Sequence, residues 1–426
     1  MKKNLIAVLM CLFAFSAAFA MSMSAGDEVH PFDSIPMLEA YYDESDDGSS
    51  SFWEGCEVSL LAISDGGPLY SWFGHAAFLV TTPDGRNYTF DYGTFSFNDE
   101  DFFVNFAFGR LWFLCVCSNA EYQLEEMEAE GRTVTKVVLP LSTEQKKAVI
   151  GFLNTNSRAE NRVYLYHHYE DNCATRLRDI IDWTTDGAFK AWAQGIEGYT
   201  FRQQASRALS RNPLILWGLD FLQSGQIDKS ATLWDEMFLP EMLEKGVMAY
   251  FGLENEVVTT DPGNRSKTAE KPQDNVLFAV LLGIGLGGIS ALLIILGCGR
   301  ANYIYSGIVE IVFGILGGVL LFMMLFTNHD VTWFNENIVF VNPALIAVAL
   351  FSFLAAGKRK TSREWGRLSC ACHLLLLALI LLLCVLKVMI HKVFIQENWN
   401  IIVTMALFYL PNAVILRLGE DKKKAL

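Results

Sequence analysis

The chain has 426 residues, of which 52% are hydrophobic, and a formal net charge of −14. It is too long for one ordinary domain and too apolar for an ordinary soluble protein. Between residues 21 and 275, 19 Lys and Arg stand against 40 Asp and Glu, an acidity that argues against nucleic acid as a partner and against simple adhesion to anionic lipid.

In chain order, residues 1–20 carry Lys2 and Lys3, an apolar stretch and then Ala18-Phe19-Ala20, the pattern of a secretory signal peptide. Residues 21–51 are acidic and serine-rich and read as a flexible leader with at most a helical turn. A first domain is expected over 52–258. Its strands are predicted at 58–63, 75–82 and 87–92, the last two joined by the turn Pro83-Asp84-Gly85. An aromatic segment, 95–108, precedes a strand at 111–117, a helix at 121–132, a strand at 133–139 and a helix from Ser142 to about Asn154. From residue 173 to about 251 the pattern is mostly helical, with turns at Asn212-Pro213 and Gly225. Residues 259–275 contain Pro262, Gly263 and Pro272 among polar residues and read as a linker.

Beyond the linker, five apolar stretches are long enough to span a bilayer: 276–298, 304–326, 337–356, 368–389 and 400–418. The 357–367 loop holds Lys358, Arg359, Lys360, Arg363 and Arg367, and the tail, 419–426, holds Lys422, Lys423 and Lys424. The positive-inside rule places both in the cytoplasm, with the N-terminal domain exported. Glu310 falls inside the second span, where a packing or assembly role is expected. Lys387, at a span end, is expected to snorkel.

The chemistry-bearing stretch is Tyr169-Glu170-Asp171-Asn172-Cys173-Ala174-Thr175-Arg176. A polar turn delivers Cys173 to a helix start, where unpaired N–H groups favour the thiolate. His75 opens a buried strand upstream, so the two form the skeleton of a papain-like nucleophile site with the histidine first in the chain. In a 75–82/87–92 hairpin Asp91 or a neighbour falls beside His75 and can orient its ring; Asp91 is preferred over Tyr92 and Asn87. Asn172 and Tyr166 are expected to hold the oxyanion or the loop. His167 and His168 compete as bases, though a surface position without a role suits them better. Cys56, Cys115 and Cys117 are expected to be structural, as a disulfide or as buried thiols; no metal-ligand spacing is present.

Phe73-Gly74-His75-Ala76-Ala77, Asp91-Tyr92-Gly93-Thr94-Phe95-Ser96-Phe97, Tyr164-Leu165-Tyr166 with Asp171-Asn172-Cys173, and the later Trp217-Gly218-Leu219-Asp220 and Phe238-Leu239-Pro240 together resemble the Lnb N-terminal periplasmic domain family. The outward loop His329-Asp330-Val331-Thr332 with Asn335, Asn337 and Pro343 is similar to the loop of that family. The resemblance implies an α+β fold: a circularly permuted papain-like, NlpC-type periplasmic domain with added helices, followed by a five-helix transmembrane bundle. It further implies a lipoprotein N-acyltransferase of the inner membrane of Bacteroidota, moving an acyl chain from phospholipid to the N-terminal cysteine amine of a lipoprotein. Cys173 would be the nucleophile, His75 the base and Asp91 its partner, with no cofactor. His329, Asp330, Asn335 and Asn337 would bind a headgroup, unless they form only a solvated, capped loop. The same residues also suit a membrane-anchored cysteine hydrolase or a non-enzymatic envelope protein.

Overall fold

The structure is a computed structural model, and it describes residues 50–95, 102–259 and 267–424. The expected signal peptide and nearly all of the expected leader lie outside the described residues, as do parts of the aromatic segment and the linker. The described residues divide into two compact units, 50–211 with 230–272, and 212–229 with 273–424. Residues 212–229 thus join the C-terminal unit, whereas the sequence reading ran the first domain unbroken from 52 to 258.

The first unit is built on a seven-stranded sheet: β1 (Glu57–Ile63), β2 (His75–Thr81), β3 (Asn87–Thr94), β4 (Trp112–Asn119), β5 (Val134–Val138), β6 (Val163–Leu165) and β9 (Glu256–Thr259), in the order β6-β4-β3-β2-β1-β5-β9. Every pairing is antiparallel. A separate two-stranded ribbon joins β7 (Glu197–Gly198) to β8 (Ala231–Thr232). β1 to β5 fall where alternation predicts them, because buried residues such as Leu60, Phe78 and Phe90 alternate onto one sheet face, whereas the short β6, β7, β8 and β9 are not predicted. The Cys173–Thr184 and Thr143–Asn156 helices add Leu177, Ile181, Ile150 and Leu153 to that core. Ser142 caps the latter helix through a full capping box with Gln145. Leu61, Ile63 and Leu79 make a smaller core on the other face with Ala120 and Met127 of the Ala120–Ala129 helix. Cys56, Cys115 and Cys117 are free, buried thiols; burial pushes the thiols of Cys115 and Cys117 up to about 12.

The second unit is helical. Val276–Ile295, Gly299–Phe326 and Ser362–Met389 are long and apolar enough to cross a membrane, and Leu345–Ala356 and Trp399–Ile415 are shorter apolar helical stretches. The stretch read as a span from 337 is helical only from Leu345. Ahead of it a 3-10 turn, Glu336–Val339, is fixed when Asn335 accepts a hydrogen bond from the Asn337 N–H at 2.9 Å, and a turn at Pro343-Ala344 leads into the new helix, with Ala344 at its N-cap. Glu310 is fully buried, 3.0 Å from His373 Nε2 and 2.9 Å from the Ser352 hydroxyl. Lys387 does not snorkel: its ammonium sits 2.5 Å from Glu336 and donates to the Gln396 carbonyl.

Candidate active site

His75 is the first residue of β2, and Gly74 before it has φ +77°. A β-carbon at Gly74 would come 2.8 Å from the Ile63 carbonyl oxygen, so the turn into β2 requires glycine. In the hairpin Ala77 pairs with Asp91. His75 and Ala77 share a face, which makes His75 and Asp91 diagonal neighbours within side-chain reach. His75 Nε2 lies 2.9 Å from each Asp91 carboxylate oxygen.

Two further residues hold that carboxylate, and neither was singled out from sequence. Gln123, on the Ala120–Ala129 helix, donates to Asp91 Oδ2 at 2.7 Å. The Gly93 N–H donates to Asp91 Oδ1 at 2.5 Å. Gly93 also sits beneath the imidazole: a β-carbon there would overlap Cε1 and come 3.1 Å from Nδ1. The β3–β4 register shifts between Asp91 and Thr94, a bulge at this same position. The signal in the sequence was the glycine inside a strand pattern.

Cys173 is the first residue of the Cys173–Thr184 helix, which packs on β2 and β3. Asn172 is the cap, and its Oδ1 accepts from the N–H groups of Ala174 and Thr175, each at 2.9 Å. Its amide nitrogen donates to the carbonyls of His168 at 2.7 Å and Phe238 at 3.0 Å. Asn172 therefore holds the loop and the helix start rather than a substrate oxygen, because both ends of its amide are committed. Arg176 makes a bidentate pair with Asp171 and lies 4.3 Å over the Tyr164 ring, fixing the turn from the other side.

The Cys173 thiol lies within electrostatic reach of the His75 ring, whose hydrogen-bond partner is Asp91. With Nε2 on Asp91, Nδ1 is the nitrogen left for sulfur. Burial favours the neutral imidazole, but the Asp91 charge and then Cys173 outweigh it, holding His75 protonated up to about 10. Burial opposes ionisation of Asp91 too, and the His75 charge overcomes it, leaving its carboxyl below the usual carboxylate range. Tyr166 stacks on Phe113 with ring centroids 4.2 Å apart, and burial with the nearby Cys173 raises its hydroxyl well above the usual phenol range.

The competing histidines do other things. His167 Nδ1 accepts the Glu170 N–H at 3.0 Å and shapes the turn. His168 packs edge-on to Phe73 at 4.6 Å, and burial followed by the His167 charge pushes it down to about 4, so its ring stays neutral at pH 7. Asn87 accepts from Thr81 at 2.7 Å at the far end of the hairpin.

Asn335 and Asn337 are buried rather than facing a headgroup. Asn335 Nδ2 donates to the carbonyls of Phe221 and Leu222, both at 3.0 Å, and Asn337 Nδ2 to those of Asp220 at 3.1 Å and Phe221 at 3.0 Å. They satisfy the open C-terminal carbonyls of the Pro213–Leu222 helix. His329 and Asp330 are half-buried at the adjoining 3-10 turn, Asp330–Thr332, where the His329 carbonyl accepts from the Thr332 hydroxyl at 2.7 Å.

Residues 51–207 match the family described as the Lnb N-terminal periplasmic domain, and residues 273–407 match the Lnb transmembrane domain. No curated protein and no solved structure matches the chain. The two family matches coincide with the sheet-based and helical parts of the fold and together cover most of the sequence. The chain belongs to the Lnb family, a group of lipoprotein-processing membrane proteins, and its N-terminal region is periplasmic.

Proposed function

We propose that this protein is a lipoprotein N-acyltransferase working through a Cys173 thioester. The observation that carries the reading is the Cys173–His75–Asp91 arrangement, with Nε2 of the base held by a carboxylate and Nδ1 left for sulfur. The reaction starts from the His75 imidazolium, stabilised by Asp91, with the Cys173 proton already on the ring. The sulfur attacks the ester carbonyl carbon of a phospholipid. The carbon–oxygen bond to glycerol breaks, and His75 returns the proton to the departing alkoxide. In the second half-reaction the neutral α-amine of the lipoprotein's N-terminal cysteine attacks the thioester carbonyl. The carbon–sulfur bond breaks, an amide forms, and the amine's proton restores the thiol. Ester to thioester to amide runs downhill overall, so no nucleotide enters.

The Cys173 N–H, first in its helix, and the Tyr166 hydroxyl are the donors this reading assigns to the oxyanion. The site works at the periplasmic surface of the inner membrane, with the C-terminal tail in the cytoplasm. The permuted papain-like order, histidine before cysteine, belongs to the same reading, as do domain limits close to 52–258, interrupted by the 212–229 segment of the C-terminal unit, and 276–418. The test is mass spectrometry of lipoprotein N-termini in cells whose only copy carries Cys173→Ala. The reading expects free α-amines where the wild type gives N-acylated ones; unchanged acylation overturns it.

A further inference from the structure

The β4–β6 edge of the sheet has two unlike faces. Phe113 pairs with Tyr164 and points inward with Tyr166, and both tyrosines lie within electrostatic reach of Cys173. On the outward face Trp112 pairs with Leu165, and Leu114 with Val163. Strand alternation puts these four side chains side by side. Trp112 and Val163 are each 52% exposed and Leu165 is 42% exposed. None of the four carries a charge, although β6 is the sheet's edge and edges are ordinarily blunted by charged residues. A contiguous exposed apolar strip on an otherwise acidic domain marks an interaction surface.

We propose that this ribbon face is the surface by which the periplasmic domain seats itself in the headgroup region of the bilayer, bringing Cys173 to lipid esters. A lipid surface fits better than a protein for three reasons. Tryptophan favours the membrane–water interface over either bulk phase. Tyr164 and Tyr166, which lie within electrostatic reach of Cys173, alternate with Leu165 of the strip, so the exposed face adjoins the candidate site. The chain belongs to a family whose C-terminal part is a transmembrane domain, so a bilayer is always at hand. The inference rests on the acyl-transfer reading and adds how the donor is reached.

The test uses the full chain reconstituted in vesicles of phosphatidylethanolamine and phosphatidylglycerol. Thioester formation on Cys173 is followed by intact-mass spectrometry after an acid quench. Trp112→Ser and Val163→Asp are each expected to slow acylation from the bilayer about tenfold or more, the loss expected for one large side chain withdrawn from apolar surroundings. Both are expected to react like wild type with monomeric dibutyryl phosphatidylcholine in detergent, which needs no docking and also reports folding. Equal rates from bilayer lipid would overturn the inference, as would a parallel loss with both esters. Normal bilayer acylation with impaired transfer to a lipoprotein would assign the face to a protein instead. If wild type forms no thioester with either ester, it is the acyl-transfer reading that fails.

Discussion

Both units bury polar networks, and the two are used in different ways. In the helical unit, Asn335 and Asn337 donate to the last carbonyls of the Pro213–Leu222 helix, Asn398 donates to Asn337 Oδ1 at 2.7 Å, and Gln396 donates to Asn335 Oδ1 at 3.1 Å. There the side-chain amides join backbone to backbone. In the sheet unit, Gln123 and the Gly93 N–H fix Asp91, Asp91 fixes one nitrogen of His75, and the other nitrogen is left facing a thiol. The difference teaches that burial and polarity alone do not mark a reactive site. What sets the candidate site apart is a chain of hydrogen bonds that ends on an imidazole beside a thiol instead of closing on the backbone.

That contrast can be broken from either side. The largest effect is expected from Cys173→Ala, which removes the nucleophile and should lower acyl transfer by about 10⁴-fold or more, measured as N-acyl lipoprotein formed by purified protein. Asp91→Asn keeps the shape but loses the charge that stabilises the imidazolium. A drop of about 10³-fold is expected in the acylation rate with little change in donor KM. Gly93→Ala drives a methyl group into the His75 ring. About a hundredfold loss is expected from the displaced base, with the fold retained by circular dichroism.

The helical network should respond in the opposite sense. Asn337→Ala leaves buried carbonyls of the Pro213–Leu222 helix unmet and should cost roughly 1–3 kcal/mol of stability. Thioester formation on Cys173, measured at a temperature where the variant is folded, should be unchanged. If Asn337→Ala instead abolished acylation while leaving stability intact, the division between the two networks would be wrong.

The smallest effect is in pH dependence. His75 is raised from 6.5 to about 10, so its contribution to stability is complete below pH 6.5 and is lost as pH climbs through 10. Asp91 is lowered from 3.8, so its contribution is present above that pH and is lost as pH falls through its depressed folded value. The melting-temperature gap between wild type and Asp91→Asn should therefore be widest between about pH 4 and 6.5 and should close toward pH 10. A gap that grew with rising pH would contradict the ion pair.

Much of this was legible in sequence because it is local. The helix start at Cys173, the helix start at Ser142 and the strand alternation through Phe78 and Phe90 are each decided by residues close together in the chain. Asp91 was reachable because one hairpin turn fixes its register against His75. Gln123 was not, because a helix 32 residues downstream delivers it and nothing local announces that. Asn335 and Asn337 misled for the same reason. Their partners lie more than a hundred residues upstream, and in the sequence a buried helix-capping amide reads the same as an exposed ligand-binding one. The helix break before Leu345 was signalled by Pro343, but hydropathy outweighed it.

The most direct test of the central claim is intact-mass spectrometry of the purified full-length protein incubated with phospholipid and no acceptor, quenched in acid and mapped by peptide. The expected result is one acyl adduct on Cys173, released by neutral hydroxylamine and absent from Cys173→Ala. An unmodified Cys173 in wild type, or an adduct that persists in Cys173→Ala, would contradict it.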